Sequence, residues 1–341
     1  MPKRGHIRHG SLQFYPRKRA RRILPKVSWK TISKSRKDIG LLGFIGYKVG
    51  MKSAYVLDNA AGSLTKGQRI VIPVTIIECP TIKILSVRFY KNNKVVGEVL
   101  NQNIDKEVKK KVKLPKNKTG LESKNFEGAK KKIEDFASKK DKFDDVKIII
   151  YSQVKKTGVK KTPDIVEIGL SGSIDEKINF IKDNLNKEIS IKDIFKDDLE
   201  KEVVDIRGVT KGKGTQGPLK RFGLKLRFHK SEKGRRGPGS GGPWHPARVE
   251  YTQPMAGQMG YFSRVIYNNK IILISDIKDK DINPKSGFKK YGKVRGDYLI
   301  VFGSIQGPSK RQLLVTAPLR ASKKQIKKNY EFLELRWKYK F

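Results

Sequence analysis

The chain has little cysteine and no long apolar run. One cysteine, Cys79, occurs in 341 residues, which excludes an internal disulfide and any zinc site built from several cysteines and fits a reducing compartment. Apolar stretches such as 70–77 and 271–274 are far shorter than the roughly 20 residues of a membrane-spanning helix. The start, MPKRGHIRHG, lacks the apolar core of a secretory signal. We therefore expect an intracellular protein without a membrane partner.

Acidic residues are scarce as well. The sequence holds 33 Asp and Glu against 77 Lys and Arg, a formal net charge of +44. A net charge of about 2 to 8 is enough to keep a small domain soluble, so this excess indicates a polyanionic partner. Since 37% of the residues are hydrophobic and 9% aromatic, the chain can also fill a sizeable core. We predict a folded structural protein that binds RNA.

The charge is concentrated in two segments. Residues 1–37 contain thirteen Lys or Arg and no acid, which indicates an extended arm. Residues 207–248 contain twelve Lys or Arg, one acid and ten glycines. Such a stretch has too little apolar content to bury itself, and a long loop of this kind is usually functional or disordered. We expect both segments to lack fixed structure until RNA binds them.

The middle of the chain differs from its flanks. Residues 101–202 hold 25 Lys or Arg and 20 Asp or Glu, which is close to a balance. The apolar pattern predicts a helix over 126–137, a buried strand over 146–151 and a second helix that begins with a capping box at Ser173. We interpret this block as an α/β insertion that packs away from the anionic partner.

The flanks have the pattern of β structure. Apolar runs separated by Gly and Pro predict five strands, at residues 41–51, 69–79, 83–90, 264–274 and 297–305. Within the fourth run, Asn268 and Asn269 indicate a hairpin turn. Short strands of this kind favour a small closed β-barrel that the central insertion interrupts in sequence.

Lysine, arginine and glycine together suit contact with folded RNA. Lys and Arg neutralise phosphates and release counterions, and glycine lets a ribose-phosphate chain approach the backbone. The planar guanidinium of Arg can also bridge phosphates or stack on bases. The candidate RNA-binding residues are Lys3, Arg4, Arg8, His9, Arg17, Lys18, Arg19, Arg21 and Arg22 in the arm, and Lys211, Lys213, Lys220, Arg221, Arg227, His229, Lys230, Arg235, Arg236, Trp244, His245, Arg248 and Gln258 in the loop.

The loop contains an aromatic tip. In GPGSGGPWHPARV, Trp244 and His245 lie between Pro243 and Pro246, which stiffen an otherwise flexible segment. Glycine and proline on both sides favour stacking of Trp244 on an RNA base over the alternative, a tryptophan in the core. His245 could be a plain hydrogen-bonding residue.

The remaining histidines do not indicate catalysis or metal binding. His6, His9 and His229 lie among basic residues with no carboxylate nearby, so contact with phosphate or base is favoured over metal ligation or proton transfer. Solvent exposure is the alternative for these residues.

One motif imitates a nucleotide site. The motif G-x-G-x-x-G is formed by Gly212, Gly214 and Gly217. However, Pro218 follows at once, no helical periodicity begins there, and no acidic residue appears about twenty positions later. We therefore reject a dinucleotide site. An enzyme acting on nucleic acid would need clustered carboxylates or a nucleophile with its base, and neither is found. A basic DNA-binding or chromatin-like protein, the other alternative, would need a recognition helix or a zinc motif.

Five segments carry a resemblance to a known family. They are GSLQFYPRKRA, GFIGYKVGM, VVDIRGVTKGKGTQGPLKRFG, GPWHPARV and MAGQMGYFSR. In this order they resemble the family of the universal large-subunit ribosomal protein L3, in its archaeal and eukaryotic form, and the similarity covers most of the chain.

The resemblance implies a fold and a role. The fold class expected is mainly β with an α/β insertion: a small closed translation-type β-barrel, an extended N-terminal arm and a long basic Gly-rich loop. In the family this loop reaches toward the peptidyl-transferase region, with its Trp-His tip at Trp244 and His245. The implied role is structural: to bind large-subunit rRNA early in assembly and to limit RNA motion near the aminoacyl-tRNA path.

The same resemblance implies the partners and the location. We expect large-subunit rRNA and neighbouring large-subunit proteins as partners, in the cytoplasmic ribosome. We expect no catalytic activity, cofactor, metal, membrane, small-molecule substrate or homo-oligomer. The predicted parts are a basic N-terminal extension (1–38), a split barrel core (39–100 and 203–320), an α/β insertion (101–202), a projecting basic loop (207–262) and a basic C-terminal tail (321–341).

Overall fold

The computed structural model divides into two compact units. The residues it describes are 10–36, 39–113, 127–138, 142–195, 203–242, 244–245 and 247–336. Unit 1 combines Met1–Ile23 with Val209–Arg264, and unit 2 combines Leu24–Gly208 with Val265–Phe341. Unit 1 therefore joins the start of the predicted arm with the predicted loop, although the two lie far apart in sequence.

The described residues are mainly β structure. The strands in chain order are β1 (Gly40–Leu41), β2 (Gly43–Asp58), β3 (Arg69–Glu78), β4 (Ile82–Lys91), β5 (Lys94–Leu100), β6 (Asp145–Ser152), β7 (Ile165–Ser171), β8 (Val203–Val209), β9 (Thr215–Gln216), β10 (Gly257–Gln258), β11 (Ser263–Ser275), β12 (Tyr298–Phe302), β13 (Gln312–Thr316) and β14 (Tyr330–Arg336). The helices are α1 (Trp29–Ser33), α2 (Glu127–Ala137), α3 (Ile174–Asn184), α4 (Pro218–Phe222) and α5 (Lys323–Ile326), with short 3₁₀ segments at Leu12–Phe14, Lys106–Lys110 and Val154–Thr157.

Seven strands form the larger sheet. Their order is β13, β8, β11, β12, β3, β2, β14, and β13 also pairs with β2. Leu314 of β13 lies opposite Ile45 of β2 and opposite Arg207 of β8. Strand β13 thus pairs with both β8 and β2, which lie far apart in the strand order. Val74 and Ile300, on β3 and β12, are fully buried together with Ile45 and Leu314, because alternate β-branched and aliphatic side chains face one apolar core.

The five strands predicted from the sequence are present, but the hairpin predicted at Asn268 and Asn269 is wrong. β11 runs unbroken through both residues. Asn268 has a φ of 56°, the left-handed conformation that makes asparagine common in turns. Its N–H, however, donates to Asp205 Oδ1 at 2.8 Å, and Asn269 Nδ2 donates to the Val204 carbonyl at 3.3 Å. These bonds to β8 keep both asparagines within the strand.

A second sheet has the order β1, β7, β6, β4, β5 and packs against α2. Phe136 of α2 stacks on Phe89 of β4, with 4.7 Å between ring centroids. A β-carbon at Gly97 would lie 2.7 Å from the Phe136 ring, so the glycine makes room for it. The predicted strand over 146–151 is confirmed as β6, and the predicted helix over 126–137 is confirmed as α2 from residue 127 onward; residue 126 lies outside the described residues.

The predicted capping box is confirmed at the start of α3. Ser173 Oγ accepts a hydrogen bond from the Glu176 N–H at 3.4 Å, and Glu176 Oε2 accepts one from the Ser173 N–H at 2.7 Å. Ile178 and Ile181 on one face of α3 are buried. The helix therefore begins where the local sequence predicts.

Strand pairing differs from the predicted part boundaries. β4 and β5 precede the boundary placed at residue 100, yet β4 pairs with β5 on one side and with β6 on the other. Charge balance reflects the surface, whereas strand pairing follows the apolar residues, so the second sheet takes strands from both sides of the predicted boundary. The segment predicted as a C-terminal tail contains α5 and also β14, which pairs with β2.

Helix α1 anchors a part of the predicted arm inside unit 2. Trp29 is 5% exposed and Ile32 1%, and Trp29 Nε1 donates to the Glu167 carbonyl of β7 at 3.1 Å. A β-carbon would lie 2.9 Å from Trp29 at Gly43 and 2.5 Å from it at Gly169. The tryptophan thus packs against both sheets, which the basic composition of residues 1–37 conceals.

Candidate nucleic-acid interface

Unit 1 is densely charged and has almost no apolar core. It contains twenty Lys or Arg and two acids, Glu232 and Glu250. Among its described residues, Val209 and Pro254 are the only buried apolar side chains. Since so little apolar surface is removed from water, other interactions must hold this unit together.

A narrow two-stranded ladder joins two parts of the segment predicted as a loop. β9 pairs antiparallel with β10, and beside this pair the Lys213 N–H donates to the Met259 carbonyl and the Met259 N–H donates to the Gly214 carbonyl, both at 2.9 Å. Gly260 has a φ of 70°, and a β-carbon there would lie 2.1 Å from the Lys211 carbonyl oxygen. Glycine is therefore required where the two chain segments approach each other.

Arg221 of α4 ties this ladder together. Its Nε donates to the Gln258 carbonyl at 3.0 Å and its Nη1 donates to the Met255 carbonyl at 2.9 Å. Gln258 Nε2 in turn donates to the Gly260 carbonyl at 3.0 Å. Burial and the neighbouring charge of Arg17 lower the pKa of Arg221 from its usual value. Arg221 and Gln258, both predicted to bind RNA, thus have partners within the protein.

Residues of the arm contact the loop inside unit 1. Arg17 Nη1 donates to the Arg221 carbonyl at 3.0 Å, and the Arg17 guanidinium lies 4.2 Å from the centroid of the Phe222 ring. Arg264 lies 4.3 Å from the centroid of the Phe14 ring. Such cation–π contacts contribute about 0.5 to 2 kcal/mol each. Arginine stacking and arginine hydrogen bonds therefore take the place of an apolar core.

Most of the predicted RNA-binding side chains are exposed. The exposed ones are Lys18, Arg19, Arg21, Arg22, Lys211, Lys213, Lys220, Arg227, His229, Lys230, Arg235, Arg236, Trp244, His245 and Arg248. Arg17, Arg221 and Gln258 are half-buried. Lys3, Arg4, Arg8 and His9 lie outside the described residues, as does His6. Contact of any of these residues with RNA stays a prediction.

Two aromatic residues of the loop, Trp244 and Phe228, are exposed. Trp244 is 88% exposed, which excludes the alternative of a tryptophan buried in the core. The flanking Pro243 and Pro246 lie outside the described residues. Phe228 is 67% exposed, and its ring centroid lies 4.2 Å from that of His229. The sequence reasoning overlooked Phe228; the signal was an aromatic residue within a basic, glycine-rich stretch, which is typical of base stacking.

The G-x-G-x-x-G segment forms no dinucleotide fold. Contrary to the prediction, a helix does begin there, because α4 starts at Pro218, directly after Gly217, and proline suits the first helical position. The helix ends after five residues at Gly223. The two-residue β9 pairs antiparallel with β10, so the described residues of unit 1 lack the parallel βαβ unit that the motif requires.

The described part of the chain contains no group of three or more His, Cys, Asp or Glu side chains that could hold a metal ion. No helix in the same ranges is long and apolar enough to cross a membrane.

Comparison with known proteins gives a consistent match. The model of the family described as Ribosomal protein L3 matches residues 1–339. Two archaeal relatives named large ribosomal subunit protein uL3, from Methanosphaera stadtmanae and Methanocaldococcus jannaschii, are each 40% identical over 330 residues, 94% of this chain and 93% of the relative. The protein of the same name from Picrophilus torridus is 40% identical over 332 residues, 94% of each chain.

Proposed function

The chain belongs to the ribosomal protein L3 family, and from this premise we propose that it is a structural constituent of the large ribosomal subunit that binds large-subunit rRNA. The family is one of structural ribosomal proteins, so the prediction that the chain is not an enzyme is confirmed. The alternative of a chromatin-like DNA-binding protein is set aside on the same ground.

The observation that carries the rRNA proposal is the composition of unit 1. Exposed cationic side chains and the exposed aromatic rings of Phe228 and Trp244 project from a frame with almost no apolar core. Cationic groups meet phosphates, and exposed rings stack on unpaired bases. An unbound surface of this kind would carry strong self-repulsion, which a polyanion relieves.

The finer role is part of the proposal. The loop at residues 207–262 extends into rRNA toward the peptidyl-transferase region, with Trp244 and His245 at its tip. The protein joins the subunit early, contacts neighbouring large-subunit proteins, and acts in the cytoplasmic ribosome as a single copy. The predicted RNA-binding residues of the arm and the loop are the contacts that hold it there.

We further propose that the larger sheet is a closed barrel. The support is the double pairing of β13 with β8 and β2, which returns the strand order to its start. The proposed parts then follow the sheets: a barrel from the larger sheet, an α/β part from the second sheet with α2 and α3, and the arm and loop of unit 1.

The test is the salt dependence of binding to purified large-subunit rRNA. Affinity should fall on the order of a thousandfold or more between 50 and 200 mM salt, because each phosphate contact releases counterions. Replacing Lys211, Lys220 and Lys230 by Gln should reduce the slope of log affinity against log salt by about 2 to 3.

The matched control removes three exposed lysines of unit 2, Lys66, Lys285 and Lys289, by the same substitution to Gln. It should leave the slope nearly unchanged. A flat salt response of the native chain, or equal losses in the two triple variants, would contradict the proposal.

A further inference from the structure

Unit 2 contains a basic cleft that is lined in part by α1 of the predicted arm, and none of its residues is among the predicted RNA-binding residues. Its volume is about 380 Å³, within the range of about 300 to 1,000 Å³ that ligand sites occupy. Lys30, Ser33 and Lys34 line one wall, and Asn92 and Asn93, in the turn between β4 and β5, line the other. The cleft therefore lies beside the anchored helix α1 and the neighbouring ends of β4 and β6 in the second sheet.

The packing of α1 fixes the orientation of the first wall. Trp29 and Ile32 are buried, which holds the opposite face of the helix outward. Residues three and four apart share a helix face, so Lys30, Ser33 and Lys34 point to the same side. The wall is thus set before any ligand arrives.

The second wall is equally fixed. Asn92 and Asn93 have φ values of 50° and 62°, as a tight hairpin turn requires at both central residues. The Asn92 N–H donates to Asp144 Oδ2 at 2.9 Å, which ties the turn to the chain before β6. Both asparagine side chains are exposed at the rim, where their amides can donate and accept hydrogen bonds.

The charged groups in the cleft leave two cations without an ionic partner. The lining holds four lysines and two aspartates, namely Lys30, Lys34, Lys147, Lys177, Asp144 and Asp145. Lys177 Nζ pairs with Asp145 Oδ1 at 2.7 Å, and Lys147 Nζ lies 3.8 Å from Glu167 Oε1. Among the described residues, neither Lys30 nor Lys34 has an acidic partner, and both are exposed.

We propose that this cleft binds the sugar-phosphate backbone of a large-subunit rRNA strand, an inference that rests on the proposed function. Lys30 and Lys34 neutralise phosphates of the strand, while the Ser33 hydroxyl and the amides of Asn92 and Asn93 meet ribose hydroxyls, which both donate and accept hydrogen bonds. The carboxylates of an acidic peptide only accept hydrogen bonds. Beyond its backbone N–H groups, such a peptide would offer no donors to the oxygens of these amides and of the hydroxyl, so RNA fits the mixed lining better.

Lysine reactivity tests the proposal directly. The full chain is acetylated alone, bound to purified large-subunit rRNA, and within assembled large subunits, and each lysine is quantified by mass spectrometry. Lys30 and Lys34 should become several-fold less reactive with purified rRNA, because a bound phosphate shields the amine. Lys66 and Lys289, exposed lysines of the same unit, should not change.

A matched pair of variants gives a second readout. K30Q with K34Q should reduce the slope of log affinity against log salt by about 1.4 to 1.8, the value for two lost phosphate contacts. K66Q with K289Q removes the same charge outside the cleft and should leave the slope unchanged. Equal slopes for the two double variants would overturn the proposal.

The possible outcomes distinguish a failure of the cleft proposal from a failure of the proposed function. Protection of Lys211 and Lys220 without protection of Lys30 and Lys34 would reject the cleft and leave the rRNA-binding role intact. Protection of Lys30 and Lys34 only in assembled subunits would reject RNA as the occupant and indicate an acidic segment of a neighbouring protein. Failure of the native chain to bind rRNA at all would reject both proposals.

Discussion

Units 1 and 2 hold their chains together by different means. Unit 2 buries aliphatic and aromatic side chains between two sheets, with residues such as Ile45, Val74 and Leu314 fully removed from water. Unit 1 relies on Arg17 and Arg221, which donate to backbone carbonyls and lie against the Phe222 ring. One unit is stabilised by removing apolar surface from water, and the other by charged groups that stay partly hydrated.

Because arginines hold unit 1 together, repulsion between like charges reduces the stability of this unit. Burial lowers the pKa of both Arg221 and Arg264, and proximity to Arg17 lowers it further. A folded-state pKa below the unfolded value means that the charged form of each group costs stability at neutral pH. A nearby phosphate would remove this cost. RNA binding should therefore stabilise unit 1 far more than unit 2.

The largest expected effect is the loss of Trp29. Trp29→Ala would leave a cavity against Gly43 and Gly169 and should cost about 3 to 5 kcal/mol in the free energy of unfolding of the core, measured by denaturant titration. Trp244→Ala is the matched control, because that side chain is 88% exposed and its loss should cost about 0.5 kcal/mol or less. Equal losses in the free energy of unfolding for the two substitutions would contradict the difference in stabilisation between the two units.

A smaller and more local effect is expected at Arg221. Arg221→Gln removes two hydrogen bonds from a charged donor and should cost about 1.5 to 3 kcal/mol in the local opening of unit 1. Amide hydrogen exchange at Lys213 and Met259 would measure it, since both N–H groups belong to the adjacent ladder. Exposed Lys220→Gln serves as the control in the same helix. A matching loss in the unfolding of unit 2 would show that the units are not separately stabilised.

The smallest effect on assembly is expected at the loop tip. Trp244→Ala should leave the protein in the large subunit, because one stacking contact is worth only about 1 to 3 kcal/mol among many phosphate contacts. It should nevertheless alter translation, measured as miscoding or peptide-bond formation rate, with Trp244→Phe restoring most of the native value. Loss of incorporation into subunits would contradict this division of roles.

Local sequence patterns predicted much of the fold of unit 2. The five strands and the capping box at Ser173 depend on neighbouring residues, so their signals are visible in the sequence. The hairpin at Asn268 failed because a side chain of β8, Asp205, holds the strand. Trp29 was overlooked because its partners, Gly43 and Gly169, come later in the chain.

The candidate site was predicted in its residue types and less well in its geometry. Basic composition located the exposed cations, but it could not separate Arg17 and Arg221 from them, since the carbonyls they contact lie on distant segments. The exposure of Phe228 likewise depends on the surrounding fold, although its place in a basic, glycine-rich stretch was a signal that the sequence reasoning overlooked.

Amide hydrogen exchange of the full chain, alone and bound to large-subunit rRNA, tests the central claim most directly. The strands of unit 2 should be protected in both states, and the amides of residues 10–23 and 209–264 should exchange faster than those strands in the free protein and gain strong protection on binding. Protection gained mainly in unit 2, or none gained in unit 1, would contradict the account.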